Sequence, residues 1–270
     1  MVENETMSVS AGFPAFEFIR AHVRGHALHL TIDRPDVRNA LHPPAHRELA
    51  RAFDILEADD ALHCAVITGA GEKAFCTGSD LKYRAATGDA FVPESGFAGL
   101  AERFGLTKPV IAAVNGDAVG GGLEIVLACD LAVAVKTARF GLPEPRVGLA
   151  ASGGLHRLAR QIPMKHAMDI ALSGRLFPAE EARALGLVNQ VVPAEALAET
   201  VEALVETLSR CAPLALRATK QMMLDGLDKP TLAAAFASEF PAYRAMLDSE
   251  DAREGPLAFS QKRQPRWRGQ

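Results

Sequence analysis

Asn115-Gly116-Asp117-Ala118-Val119-Gly120-Gly121-Gly122-Leu123-Glu124 is the stretch on which the reading of this chain turns. Before it runs Lys108-Pro109-Val110-Ile111-Ala112-Ala113-Val114, an apolar, β-rich segment of the kind that forms a buried strand. After it, Ile125-Val126-Leu127-Ala128-Cys129-Asp130 continues from Leu123 in a helical pattern. The order is therefore strand, turn, helix, with three adjacent glycines at the helix start. Glycines weaken a helix start, so a plain helix would not need them. They suit a place where a ligand approaches bare backbone, with N–H groups and the helix dipole aimed at an oxygen of partial negative charge. Glu124, in the first helical turn, would stand beside that oxygen. The plainer alternative is a tight turn with close helix packing and a solvated glutamate.

The chain has 270 residues, 49% of them hydrophobic, and a formal net charge of −4. That suits one large domain, or a domain with an appended piece. No basic excess points to nucleic acid, and no apolar run is long enough to span a membrane. Residues 1–12 are short, polar and acidic, unlike a signal peptide, and are expected to form a disordered tail. Cys64, Cys76, Cys129 and Cys211 lack CxxC spacing, so reduced core thiols in a cytoplasmic protein are expected. Cys76 has no evident base nearby to make it a nucleophile.

Upstream of the central stretch, Phe16 to Ile19 and Ala27 to Ile32 read as short strands around a turn at Gly25. Leu28, Leu30 and Ile32 alternate with His29 and Thr31, which buries one face. A loop from Asp33 to Leu41 leads into a helix with Pro43 or Pro44 near its first position and Leu49, Phe53 and Leu56 as its apolar stripe. His42 and His46 have a metal-ligand spacing, but the prolines between them and the missing third ligand favour a surface pair. Gly69-Ala70-Gly71-Glu72-Lys73-Ala74 matches the dinucleotide fingerprint in letters only. That motif must open a helix, and here Phe75-Cys76-Thr77-Gly78-Ser79-Asp80 reads as a second strand and a turn. Gly88 to Gly99 reads as a flexible loop.

Downstream, Leu131 to Val135 is another buried strand, and Leu142-Pro143-Glu144-Pro145-Arg146 is a stiff turn that carries a second glutamate between two prolines. A strand, a second strand or turn, and a helix recur several times. Stacked ββα turns are therefore expected rather than a doubly wound sheet. From Pro213 onward the pattern is helical, closing on a basic tail. The expected organisation is residues 1–12 as tail, 13–204 as ββα core and 205–270 as a C-terminal helical region. Two Gly-containing turns, Gly78-Ser79-Asp80 and Gly120-Gly121-Gly122, each follow a strand and precede a helix. If neighbouring turns of the fold bring them together, two backbone N–H groups form an oxyanion hole. Two carboxylates, Glu124 and Glu144, can then divide acid and base roles.

At these residues the sequence resembles the enoyl-CoA hydratase/isomerase, or crotonase, superfamily. The likeness is carried by Arg34-Pro35-Asp36-Val37-Arg38-Asn39-Ala40-Leu41, Ala74 through Lys82, the central stretch through Asp130, Phe140-Gly141-Leu142-Pro143-Glu144, and Leu172-Ser173-Gly174-Arg175 through Val188. The resemblance implies an α/β fold, a crotonase-like ββα superhelix whose C-terminal helices make homotrimers or dimers of trimers. It implies an acyl-CoA substrate whose carbonyl oxygen sits between the N–H groups of Ser79 and Gly121. Glu124 would activate water for addition at Cβ, and protonated Glu144 would supply the proton at Cα. Coenzyme A, as part of the substrate, would run past Arg38, Ala40, Ser79, Asp80 and Leu81 to Lys82. Phe259 and Lys262 resemble tail residues that contact the nucleotide end, in their own or a neighbouring subunit. A solvated basic end is the alternative for that tail. No metal or resident cofactor is implied.

Ser79 replaces the commoner Ala, and Gly148 through Gly154 lacks a proline often found before Gly-Gly. Neither departure falls on the glutamates, and both bear on the acyl pocket. The resemblance implies a trans-2-enoyl-CoA hydratase. The alternatives are a Δ3,Δ2-enoyl-CoA isomerase, a specialised dehydratase of the carnitinyl type, a thioester hydrolase, and a non-catalytic acyl-CoA-binding protein.

Overall fold

Each turn of the fold begins on a large sheet and ends on a small one. The computed structural model describes residues 14–270. The disordered tail expected over residues 1–12 lies outside the described residues. In chain order the strands are β1 (Ile19–Arg24), β2 (Ala27–Ile32), β3 (Cys64–Gly69), β4 (Ala74–Cys76), β5 (Val110–Val114), β6 (Asp117–Val119), β7 (Leu131–Val135), β8 (Arg139–Gly141), β9 (Leu176–Pro178) and β10 (Gln190–Val192). The helices are α1 (Pro43–Ala58), α2 (Leu81–Thr87), α3 (Gly121–Ala128), α4 (Leu155–Gln161), α5 (Met164–Ser173), α6 (Ala179–Ala184), α7 (Leu197–Ser209), α8 (Pro213–Leu227), α9 (Leu232–Phe236), α10 (Pro241–Asp248) and α11 (Asp251–Ser260).

The large sheet has the order β1-β2-β3-β5-β7-β10, and the small one β4-β6-β8-β9. Successive turns are β3-β4-α2, β5-β6-α3 and β7-β8 with a 3-10 turn at Glu144–Val147. β3, β5 and β7 run parallel, as do β4, β6 and β8, so the chain climbs one layer per turn as a ββα superhelix. Parallel strands covered on both faces read as continuous apolar runs, and every residue of β5 is buried. Leu49, Phe53 and Leu56 of α1 are fully buried against this layer.

The first strand lies later than the sequence suggests. It starts at Ile19 rather than Phe16 and pairs antiparallel with β2. Its Arg20, His22 and Arg24 point outward on the edge of the sheet. Charged side chains of this kind protect an edge from stray pairing, and they also mask the strand pattern. The GxGxxA match is followed by β4 and not by a helix, so the fingerprint has no dinucleotide context.

Residue 205 lies within α7, whose Val201 and Val205 are buried in the core. Beyond it, α8 packs on α10, and α11 on α10. The basic tail folds back on this unit instead of extending into solvent. Asp251, 4% exposed, accepts N–H groups from Arg268 and Gly269, and the Trp267 indole donates to the Arg210 carbonyl at 2.7 Å. No helix among the described residues is long and apolar enough to cross a membrane.

Candidate active site

The site lies where β4, β6 and β8 end, three adjacent strands of the small sheet. Past β4 the chain turns at Gly78 and Ser79 into α2; past β6 it turns at Gly120 into α3. A Cβ at Gly78 would lie 3.0 Å from the Gly121 nitrogen and 3.1 Å from the Val119 carbonyl oxygen, so the two turns touch backbone to backbone. Gly78 and Gly120 have φ of +87° and +59°, a region that side chains enter only at a cost. Among the described residues, neither the Ser79 nor the Gly121 N–H has a backbone acceptor. Two unpaired donors thus sit side by side, Ser79 on the exposed side and Gly121 on the buried side.

Glu124 is 6% exposed in the first turn of α3, its N–H donating to the Gly120 carbonyl at 3.1 Å. Burial, and then the neighbouring Glu144, push its carboxyl from 4.5 up to about 7. The nearby backbone N–H groups of Gly153 and Gly154 pull the other way by favouring the charged carboxylate. Glu144 opens the 3-10 turn past β8, which is tied to the neighbouring turn by the Gly120 N–H donating to the Gly141 carbonyl at 2.8 Å. Burial raises its pKa as well, against its own N–H. Its Oε2 is buried without a hydrogen-bond partner, and a Cβ at Gly120 would fall 2.8 Å from its Oε1. Any side chain at Gly120 would therefore meet Glu144.

The sequence places no part of the 148–154 segment against the glutamates. Here the structure corrects it, because a Cβ at Gly153 would lie 2.8 Å from Glu124 Oε2. Only a bare backbone can come this close to the carboxylate. Cys76, by contrast, is buried beneath the site and its thiol is pushed up to about 12, so no thiolate forms there near neutrality.

The 38–41 segment joins the same mouth. Leu41 bridges to Ser79 in a parallel pair, its N–H donating to the Gly78 carbonyl and its carbonyl accepting from Asp80, each at 2.8 Å. Arg38 and Asn39 both have left-handed backbone, φ +54° and +57°. The Arg34 guanidinium bonds the Ala40 carbonyl and pairs with Asp80 at 3.0 Å. Asp80 also caps α2 through the Tyr83 N–H. Burial tends to raise the Asp80 carboxyl, but the Tyr83 N–H and Arg34 outweigh it and hold it below its usual range. Arg38, Ala40, Ser79, Asp80, Leu81 and Lys82 are thus on one rim, with Arg38 and Lys82 exposed.

Phe259, 87% exposed, and Lys262 lie at the far end of α11. No hydrogen bond or ion pair among the described residues joins them to this rim within the chain. A cavity of about 620 Å³ beside α11 is lined by charges that pair with one another, Arg263 with Glu254 and Arg268 with Glu250.

Three features escaped the sequence. Asn39, 0% exposed, donates to the Ala70 and Ala74 carbonyls and accepts from the Arg34 N–H, locking the rim to the β3–β4 turn. The ring of Phe97, from the segment read as a flexible loop, presses on Gly121: a Cβ there would lie 2.3 Å from Phe97 Cζ. His42 and His46, taken as a surface pair, are 5% and 2% exposed. They face different partners, His42 against Phe18 and Tyr83, His46 against Phe97. Only a Gly-Phe-Ala-Gly pattern at 96–99 hinted that this loop turns sharply inward.

Residues 24–270 match the model of the enoyl-CoA hydratase/isomerase family. An (E)-benzylidenesuccinyl-CoA hydratase of Thauera aromatica is 39% identical over 263 residues, covering 93% of this chain and 99% of that protein. A carnitinyl-CoA dehydratase of Escherichia coli is 43% identical over 253 residues, covering 91% and 96%. The crystal structure of an enoyl-CoA hydratase from Mycobacterium tuberculosis superposes with a TM-score of 0.88 at 40% identity, over 94% of this chain and 99% of that one. A likeness that runs through core, rim and tail at these identities makes this chain a member of the enoyl-CoA hydratase/isomerase family.

Proposed function

We propose that the protein adds water across the C2=C3 bond of a trans-2-enoyl-CoA, and removes it in reverse. The observation that carries this reading is a buried glutamate, Glu124, and a half-buried one, Glu144, whose Oε1 crowds Gly120, next to two unpaired backbone donors. The thioester carbonyl oxygen takes the N–H groups of Ser79 and Gly121. Charge reaches that oxygen only as the enolate forms, so donors fixed in advance favour the transition state over the bound substrate.

The two carboxyls titrate as a pair, because each disfavours ionisation of the other. The Gly153 and Gly154 donors favour the negative charge on Glu124, and the unpartnered Oε2 of Glu144 suits a proton. Glu124 then takes a proton from water as its oxygen bonds to Cβ, and Glu144 delivers its own proton to Cα. The pair is left with one proton in all, now on Glu124. An isomerase needs a carboxylate at only one of these positions, so the presence of both glutamates argues for the water reaction.

The reading includes an acyl-CoA substrate held along Arg38, Ala40, Ser79, Asp80, Leu81 and Lys82, with Phe259 and Lys262 meeting the nucleotide end from a neighbouring subunit. That arrangement needs self-association as a trimer or dimer of trimers through the C-terminal helices. Coenzyme A enters as part of the substrate, and the chemistry calls for no metal or resident cofactor. The unpaired thiols Cys64, Cys76, Cys129 and Cys211 fit a cytoplasmic location. A second reading, a dehydratase for a carnitinyl-type acyl group, is favoured by the 43% identity to the carnitinyl-CoA dehydratase, and the same two glutamates would serve it.

Incubation with crotonyl-CoA tests the proposal. Loss of the conjugated enoyl absorbance with gain of one water in the mass of the thioester is expected. A shifted double bond would make the protein an isomerase, and release of free thiol would make it a hydrolase. Inertness toward crotonyl-CoA with turnover of carnitinyl-CoA would favour the second reading.

A further inference from the structure

We propose that His46 is a positioning residue for the oxyanion hole, holding Phe97 against Gly121 so that the Gly121 N–H keeps its aim. This rests on the hydration reading above. His46 sits in the first turns of α1, and its Nδ1 accepts the Ala98 N–H at 3.0 Å. Its ring meets the Phe97 ring edge to face, with centroids 4.6 Å apart. Phe97 in turn lies on Gly121, as the 2.3 Å approach of a Cβ at that position to Cζ shows. A continuous line of contact therefore runs from α1 to the donor that the enolate oxygen would use.

The segment carrying Phe97 does not hold this shape by its own preference. Gly96, Ala98 and Gly99 have φ of +80°, +57° and +67°. The left-handed region is disfavoured for Ala, and such strain persists only where the surroundings over-determine it. On the far side, the Arg103 guanidinium donates to the Gly99 and Ala50 carbonyls, and Gly99 packs so tightly on α1 that a Cβ would lie 2.4 Å from the Ala50 Cα. On the near side His46 takes the Ala98 N–H. To accept at Nδ1 the ring must be neutral with its proton on Nε2. Burial, with His42 beside it, holds its pKa down at about 4, so the acceptor is present throughout the neutral range.

Without the acceptor, the Ala98 N–H loses its partner and the Phe97 ring is free to shift on Gly121. A displacement of about an ångström at the reacting centre costs roughly a hundredfold in rate. The test compares His46→Leu, which keeps bulk and removes the acceptor, with His46→Asn, whose Oδ1 takes the place of Nδ1. Steady-state rates are measured with crotonyl-CoA, and the second readout is the absorbance of the enolate of bound acetoacetyl-CoA, which reports the donors directly.

His46→Leu is expected to lose roughly a hundredfold in kcat, with KM changed far less, and to lose the enolate band. His46→Asn should recover most of both. If His46→Leu does not fold, Phe97→Ala carries the test, since it frees Gly121 with His46 intact and should show the same loss in kcat and band. Wild-type kcat in folded His46→Leu, or equal damage in the Leu and Asn variants, would overturn the inference. An inactive wild type that still gives the band would refute the hydration reading instead, and the band in the variants would still decide the role of His46.

Discussion

Glu124→Gln should make the protein more stable at pH 8 while leaving its stability at pH 5 nearly unchanged. The carboxyl of Glu124 is pushed from 4.5 to about 7 by burial and by Glu144. A carboxyl with a raised folded-state pKa binds its proton more tightly in the folded chain than in the unfolded one. Its contribution is fully present below 4.5 and is lost as pH rises through 7, where Glu124 becomes a buried anion beside Glu144. At about 1.4 kcal/mol per pH unit, the ionised site costs the fold roughly 3 kcal/mol above pH 7. An amide has no proton to lose, so the variant escapes that cost. It gives part of it back, because the amide NH₂ can face the nearby Gly153 backbone where a carboxylate oxygen stood, at about 1 kcal/mol. A net gain of about 2 kcal/mol at pH 8 follows, or on the order of 4–8 °C in Tm for a chain of this size.

The assay is thermal unfolding of wild type and variant at matched protomer concentration, since self-association also moves Tm. The quantity of interest is the difference between the two proteins at pH 8 less the same difference at pH 5. Because the pair titrates together, Glu144→Gln should give a gain of the same sign in the same window. Equal offsets at both pH values, or a variant less stable at pH 8, would refute the argument that the pair is strained by its own charge.

Glu124→Gln and Glu144→Gln should each lower turnover of crotonyl-CoA by about two to four orders of magnitude, the range for losing an acid or a base; wild-type rates in either would remove that glutamate from the chemistry. Ser79→Ala should keep most activity, because the proposed donor is its backbone N–H, whereas Gly121→Ala drives a Cβ into Phe97 and should lose roughly a hundredfold in kcat, with circular dichroism confirming the fold. Asn39→Ala strands the Ala70 and Ala74 carbonyls and should destabilise the protein by about 2–3 kcal/mol in urea unfolding; a change within a few tenths would show that the rim does not depend on this side chain. Mass photometry at micromolar concentration should give a multiple of three, and a monomer or simple dimer would count against a site shared between subunits.

The buried strands were legible because burial on both faces leaves a mark in composition. β3, β5 and β7 are apolar runs in the sequence and buried in the structure. The edge strand β1 was misplaced by a few residues because it needs only one covered face, and Arg20, His22 and Arg24 break its pattern. Spacing also misled at His42 and His46. An interval of four residues fixes a shared helical face near the start of α1, but not what covers that face. The aromatic rings that bury the pair come from Phe18, Tyr83 and Phe97, on other parts of the chain.

The site shows the same division between local and distant causes. The two glycine turns and the glutamates after them were legible because each is a local event, a strand end turning into a helix where a side chain would not fit. What sets the acidity of those glutamates was not local. Beyond burial, the largest cause, Glu124 is tuned by Glu144 from the next turn of the superhelix and, in the opposite sense, by the backbone N–H groups of Gly153 and Gly154 near the start of α4. Both are consequences of stacking β6 beside β8, which carries each strand-end loop over its neighbour. The superhelix thus does more than hold two carboxyls near each other. By bringing bare glycine backbone to one of them and leaving an oxygen of the other unpartnered, it makes two chemically identical side chains unequal, and acid–base division of labour requires that inequality.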